Sequence, residues 1–150
     1  MKDELTLDMH GLAHVIGFQL AVADVPARRA FQRHIGTPHE LRPVEFSLLV
    51  LLLGNPNAAP KQLALALNMS PPNITVLVDR MASRGLVQRR RSPTDGRAQQ
   101  VLLTVKGEDL ARRTHEVSLT MEEGLLGALS PGERVLLREL LVKLARGAGG

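Results

Sequence analysis

The chain has 150 residues and a formal net charge of +4, the length of one domain with enough surface to bury for a real core without a metal or disulfide staple. It contains no cysteine, which removes disulfides, thiolate catalysis and thiol redox sensing together. The amino terminus, MKDELTLDMHG, is acidic early and lacks a long apolar core, and the most apolar run, Phe46 to Leu53, is broken by Ser47. That run falls far short of the about 20 residues a membrane span needs, so the expectation is a soluble, cytoplasmic protein with no membrane partner.

Helical punctuation recurs along the chain. Leu12, Val15, Ile16, Leu20 and the run Val22 to Val25 predict a long first helix over Leu7 to Ile35, weakened by Gly11 and Gly17 and closed by Gly36, Thr37 and Pro38. A second helix starts near Pro43 and stops at the breakers GNPNAAP. A third runs from Pro60 to Leu67, with Leu63, Ala66 and Leu67 on one face and Asn68 placed to close it in a left-handed turn.

The fourth helix has the clearest signals. Ser70 is a good N-cap, Pro71 suits the first turn, and Ile74, Leu77, Val78 and Met81 repeat at i, i+3, i+4, i+7 before Gly85 ends the helix. The opposite face carries Pro72, Asn73, Val76, Asp79, Arg80 and Ser83, with Thr75 at its edge. Short polar side chains near the amino end suit close approach to a groove, although any solvated face looks much the same.

Leu86 to Arg91 and Ala98 to Thr104 then read as two strands around the turn SPTDGR, in which Gly96 is expected at positive φ and Asp95 to bond the backbone. This ribbon carries Arg89, Arg90, Arg91 and Arg97, four arginines with only Asp95 between them. Four guanidinium groups this close have too few local acids, which points to a polyanion outside the chain. Thr104 is placed to cap a fifth helix with Glu108 and Asp109 in or near its first turn. Ser130 and Glu133 have capping-box spacing ahead of a last helix bearing Val135, Leu136, Leu137, Leu140, Leu141 and Leu144.

Three short helices followed by a basic hairpin form the layout of a winged helix-turn-helix. The fourth helix would enter the major groove and the wing tip would reach a phosphate or the minor groove beside it. At this point the chain resembles the MarR family of transcriptional regulators over nearly its whole length, through LRPVEFSLLVLLLGNP, LALALNMSPPNITVLVDRMASRGLVQRR and SPTDGRAQQVLLTVKGEDL. The most specific part is VDRMASRGLVQRR from Val78, then Asp95 and Arg97 as the family's Asp-x-Arg wing motif, then Leu103-Thr104 with Gly107 opening the next helix. The departures are Gly96, where relatives often carry a second basic residue, Ala59 in place of a Ser or Thr cap, and the pair Pro71-Pro72.

The resemblance implies a mainly α fold with a two-stranded β-wing and a helical dimerisation lobe. Residues 1–36 and 107–150 would supply that lobe and residues 43–105 the DNA-binding lobe, all within one domain. It further implies a homodimer on double-stranded DNA with an inverted-repeat site, and a repressor released by a small molecule. The apolar stripes in 5–35 and 110–144 agree with a dimer, since one compact winged helix could not cover them.

The DNA-binding candidates are Pro72, Asn73, Thr75, Val76 and Arg80 on the helix and Arg89, Arg90, Arg91, Asp95 and Arg97 on the wing, with Asp95 expected to orient a guanidinium. Asn pairs bidentately with adenine, Arg with guanine or phosphate, and Val76 could meet a thymine methyl. His14, Phe18 and Phe46 are the ligand-pocket candidates, and three Phe without Tyr or Trp argue against a stacking-rich pocket. A metal-responsive variant would use His10 and His14, spaced i, i+4 on a predicted helix, with His115. A winged helix used only for protein interaction is the other alternative. No glycine-rich phosphate loop, carboxylate pair or nucleophile triad is present at credible spacing, so neither an enzyme nor a cofactor is expected.

Overall fold

The computed structural model describes residues 7–147. Its elements in chain order are α1 (Ile16–Phe31), α2 (Thr37–His39), α3 (Pro43–Gly54), α4 (Pro60–Ala66), α5 (Pro71–Ser83), β1 (Val87–Arg91), β2 (Gln99–Leu103), α6 (Val105–Ser118), α7 (Glu123–Leu126) and α8 (Pro131–Gly147). They fall into two compact units, one over residues 31–121 and the other over the two ends of the chain up to 30 and from 122. Mostly helical with one two-stranded antiparallel sheet, the architecture is the winged helix the sequence predicts.

The core of the central unit is built from the inner faces of α3, α5 and α6 and the roots of the strands. Leu48, Leu49, Leu52, Ile74, Leu77, Val78, Met81, Leu86, Val101 and Ala111 are all buried, and the four α5 residues among them are the i, i+3, i+4, i+7 set. Phe46, a ligand-pocket candidate, is partly buried against this core and tilts against Phe31 at a centroid distance of 5.8 Å. Helix α6 also contributes here: Leu110, Ala111 and Thr114 are buried, and α6 packs on α3. Its inner face is therefore covered within the protomer.

Local chemistry sets the helix ends as the sequence suggests. The Ser70 hydroxyl accepts the Asn73 N–H at 3.4 Å, and Thr104 accepts from Gly107 at 3.0 Å while donating to the Gly85 carbonyl at 2.6 Å. Asn68 (φ 51°) and Gly85 (φ 72°) close α4 and α5 in left-handed turns. In each case the next residue reaches back, Met69 N–H to Ala64 O and Leu86 N–H to Met81 O, completing a Schellman motif. Ala59, which cannot cap, is served from the other side: Gln62 Oε1 accepts its N–H at 2.8 Å.

The strands pair from Val87 opposite Leu103 to Arg91 opposite Gln99. Val101 also donates its N–H to Ala58 O at 2.9 Å, so one residue of the α3–α4 loop bridges to the middle of β2. The turn departs from expectation at Gly96, because Gly85 is the glycine at positive φ among the described residues. The Asp95 carboxylate holds the turn by accepting the Arg97 backbone N–H at 3.1 Å, helped by Ser92 Oγ, which accepts from Thr94 and Asp95.

In the terminal unit the first helix is shorter than predicted. The chain makes a 3₁₀ turn over His10–Leu12, opened by Asp8 accepting the His10 N–H at 2.9 Å, and α1 begins only at Ile16. Before α8 lies the unpredicted single turn α7, whose end is capped by Arg134 donating to the Leu126 and Leu129 carbonyls and pairing with Glu123. Ser130 and Glu133 form the reciprocal capping box, at 2.7 and 3.2 Å. No described helix is long and apolar enough to cross a membrane. Residues 1–6 of the expected dimerisation segment 1–36, and residues 148–150 of the segment 107–150, lie outside the described residues.

Candidate nucleic-acid interface

Because Ile74, Leu77, Val78 and Met81 anchor the inner face of α5, the helical period turns Pro72, Asn73, Thr75, Val76 and Asp79 outward, and all five are exposed. Val76 is 55% exposed, a large apolar side chain on an otherwise polar face. Thr75 returns its hydroxyl to the Pro71 carbonyl at 3.1 Å, so its methyl is the part free to face a partner. This outer face has the short side chains that a helix needs to seat closely in a groove.

The four wing arginines, alike in sequence, are not alike in space. Alternation along β1 puts Arg89 on the sheet face of Val101, which is buried, and Arg90 on the other face. Arg89 pairs with Asp79 of α5 and points Nη2 at the Thr75 carbonyl, 3.5 Å away. Arg90 donates to Asn57 Oδ1 at 3.2 Å and Gln100 Oε1 at 3.4 Å. The cluster has too few acids locally, as the sequence indicates, but the fold supplies two of its members with partners 10 and 33 positions away. Among the described residues no side-chain hydrogen bond or ion pair engages the guanidinium groups of Arg91 and Arg97, both exposed near the tip. Asp95 does not orient a guanidinium as expected; its carboxylate is taken by the Arg97 backbone.

Arg80 also has a partner within the chain. Its Nη1 lies 3.5 Å from Glu45 Oε1, and Arg84 Nη1 lies 3.5 Å from Glu45 Oε2. Glu45 is only 3% exposed and accepts the Arg42 N–H at 2.8 Å, while Arg84 also donates to the Glu40 carbonyl at 2.8 Å. One buried carboxylate on α3 thus fixes the carboxy-terminal half of α5 to the segment before α3. Glu45→Gln removes the charge but keeps the shape; Arg80 and Arg84 still reach water, so the expected loss is about 1–2 kcal/mol. Thermal unfolding should fall by roughly 3–8 °C, and an unchanged melting temperature would show that Glu45 is not the anchor described.

Sequence reasoning missed Asn57 and Asp79 as parts of this surface and Glu45 as the buried acceptor for Arg80 and Arg84. Asp79 was visible on the outer face of α5; Glu45 and Asn57 gave no signal, because their partners are set by tertiary packing.

The remaining candidates separate. His14 is exposed in a turn ahead of α1, and Phe18 on α1 is half-buried. His10 sits in the 3₁₀ turn and His14 beyond it, so the i, i+4 helical spacing that motivated a metal site does not form. His115 is exposed on α6, and no group of three or more metal-ligating side chains gathers among the described residues.

In the terminal unit, α8 has no buried residue, and Leu137, Leu140, Leu141 and Leu144 are 39–51% exposed. With Ile16, Leu20 and Ala23 of α1 they line an apolar groove of about 880 Å³. An apolar stripe of this size is a surface built to be covered.

Comparison with known proteins places these features in context. The sequence profile of the MarR family matches residues 39–98. A Thauera aromatica protein assigned as a transcriptional regulatory protein for the hcr operon is 30% identical over 92% of this chain and 84% of its own length. Among solved structures, the transcriptional repressor CouR bound to a 23-mer DNA duplex is 31% identical, superposes with a TM-score of 0.85, and is matched over 93% of this chain and 99% of that one. The PcaV regulator from Streptomyces coelicolor, in complex with its natural ligand, shares the fold at a TM-score of 0.82 and 22% identity, over 95% and 98% of the two chains.

Proposed function

Given that this chain belongs to the MarR family and is a DNA-binding transcriptional regulator, we propose that it acts as a homodimeric repressor of an inverted-repeat site and that a small molecule releases it. The observation that carries this reading is the pairing of an exposed, short-chained face on α5 with a wing tip whose Arg91 and Arg97 are left available. Residues 43–105 act as the DNA-binding lobe, and α1 and α8 act as the dimerisation helices, since their open apolar groove needs a cover. Asn73, Val76 and Pro72 approach base edges, Thr75 presents its methyl, and Arg91 and Arg97 take phosphates or the minor groove. The CouR complex supports the DNA half of the reading, and the ligand in the PcaV structure motivates the effector half.

Selection of the purified protein against random duplex DNA, with the enriched pool bound across 50 to 200 mM salt, tests it. An inverted repeat with half-sites about one duplex turn apart, roughly 34–36 Å, and a steep salt slope is expected. Arg97→Ala should then weaken binding to all sequences and flatten the slope of log K against log salt by about one. An unchanged slope would remove Arg97 from the phosphate contacts. For the effector, stabilisation by aromatic acids in a thermal shift series is the corresponding check, and none at millimolar ligand would count against that ligand class.

A further inference from the structure

We propose that Asp79 is a positioning residue for DNA binding, acting through Arg89 rather than by contact of its own. The inference rests on the reading that the outer face of α5 and the wing meet DNA. A carboxylate on that face needs a reason, because an unpaired anion beside phosphates opposes binding. Asp79 is 57% exposed at its side chain and stands one helical turn from Thr75 on α5. The Arg89 guanidinium spans that turn, with Nη1 on the Asp79 carboxylate and Nη2 directed at the Thr75 carbonyl.

Arg89 enters from β1, on the sheet face it shares with buried Val101, so its pairing ties the wing root to the middle of α5. A guanidinium offers five N–H donors in a rigid fork, and these contacts take only part of them. The remaining donors stay where the helix and wing surfaces converge, held in one orientation, as a phosphate contact requires. Arg90 lacks this arrangement: its partners Asn57 and Gln100 are neutral.

The proposal predicts a sign opposite to simple electrostatics. Removing a negative charge from a DNA-facing surface ordinarily tightens binding to a polyanion. Asp79→Asn, nearly isosteric and at an exposed site, is instead expected to weaken binding to the selected inverted repeat by about three- to tenfold. In an Arg89→Ala background the same change should cause no weakening, since the group it positions is gone. Arg89→Lys keeps the charge without the fork, so it should retain the wild-type salt slope while losing the dependence on Asp79.

Affinities of the wild type, Asp79→Asn, Arg89→Ala, Arg89→Lys and the two double variants on one duplex, with melting temperatures measured beside them, complete the test. Tighter binding by Asp79→Asn, or equal weakening with and without Arg89, overturns the positioning role. A wild-type protein with no preferred inverted repeat and a flat salt slope would overturn the DNA-binding reading itself, which this set separates from the first failure.

Discussion

A chain carrying Leu140→Glu together with Leu141→Glu is expected to be monomeric at micromolar concentration and to lose at least about a hundredfold in affinity for an inverted-repeat site. Both leucines line the open groove with Ile16, Leu20 and Ala23, and 41–51% of each is still exposed in the isolated protomer. Covering that remainder is worth about 1 kcal/mol per leucine. In a two-fold dimer every change occurs twice, so four apolar contacts are lost and four carboxylates must be desolvated or left in water. Two half-sites are then read by separate molecules, and the effective concentration that links them disappears. The central unit has its own core, built from residues these changes do not touch, and should keep its helical signal. Sedimentation equilibrium and binding to full and half sites provide the check. A variant that remains dimeric would assign the groove to some other occupant.

Gly107→Ala should be the most damaging single-methyl addition in the winged helix. A Cβ on Gly107 would stand 1.8 Å from the Leu86 carbonyl oxygen and 2.8 Å from the Leu86 carbonyl carbon. Those atoms are backbone and cannot swing aside. The same carbonyl accepts the Thr104 N–H at 3.1 Å, so relief requires α6 to lift from the start of β1 and disturbs the cap at Thr104. Overpacking of this rigid kind is expected to cost about 3 kcal/mol or more, roughly 6–12 °C in melting temperature. Gly36→Ala is the informative contrast: the clash there, at 2.5 Å, is with the amide end of the Gln32 side chain, which can rotate away. Equal melting temperatures for the two variants would contradict the packing described at Gly107.

These expectations show how differently the two kinds of information arise. The buried set of α5, the caps at Ser70, Thr104 and Ser130, and the left-handed closures at Asn68 and Gly85 were legible because each depends on residues within a turn or two of one another. The hairpin was legible for the same reason, although Gly96 was given the wrong backbone region. The first helix was drawn too long because apolar periodicity continues through Leu12 while Asp8 and Gly11 favour a tight 3₁₀ turn. That local error also removed the helical premise for the His10 and His14 metal site.

By itself the sequence determined the order of elements, the amphipathic face of α5, the basic wing and, through those motifs in order, the MarR resemblance. All of these follow from short-range periodicity, turn chemistry and charge along the chain. Tertiary structure alone decided which arginines are free. Arg80 goes to buried Glu45, Arg89 to Asp79, Arg90 to Asn57, while Arg91 and Arg97 project near the wing tip. The physical reason is that a guanidinium pairs with whatever acceptor the fold brings within reach, 3.5 Å for Arg80 and Glu45, and partners 10 to 35 residues away leave no mark in local sequence.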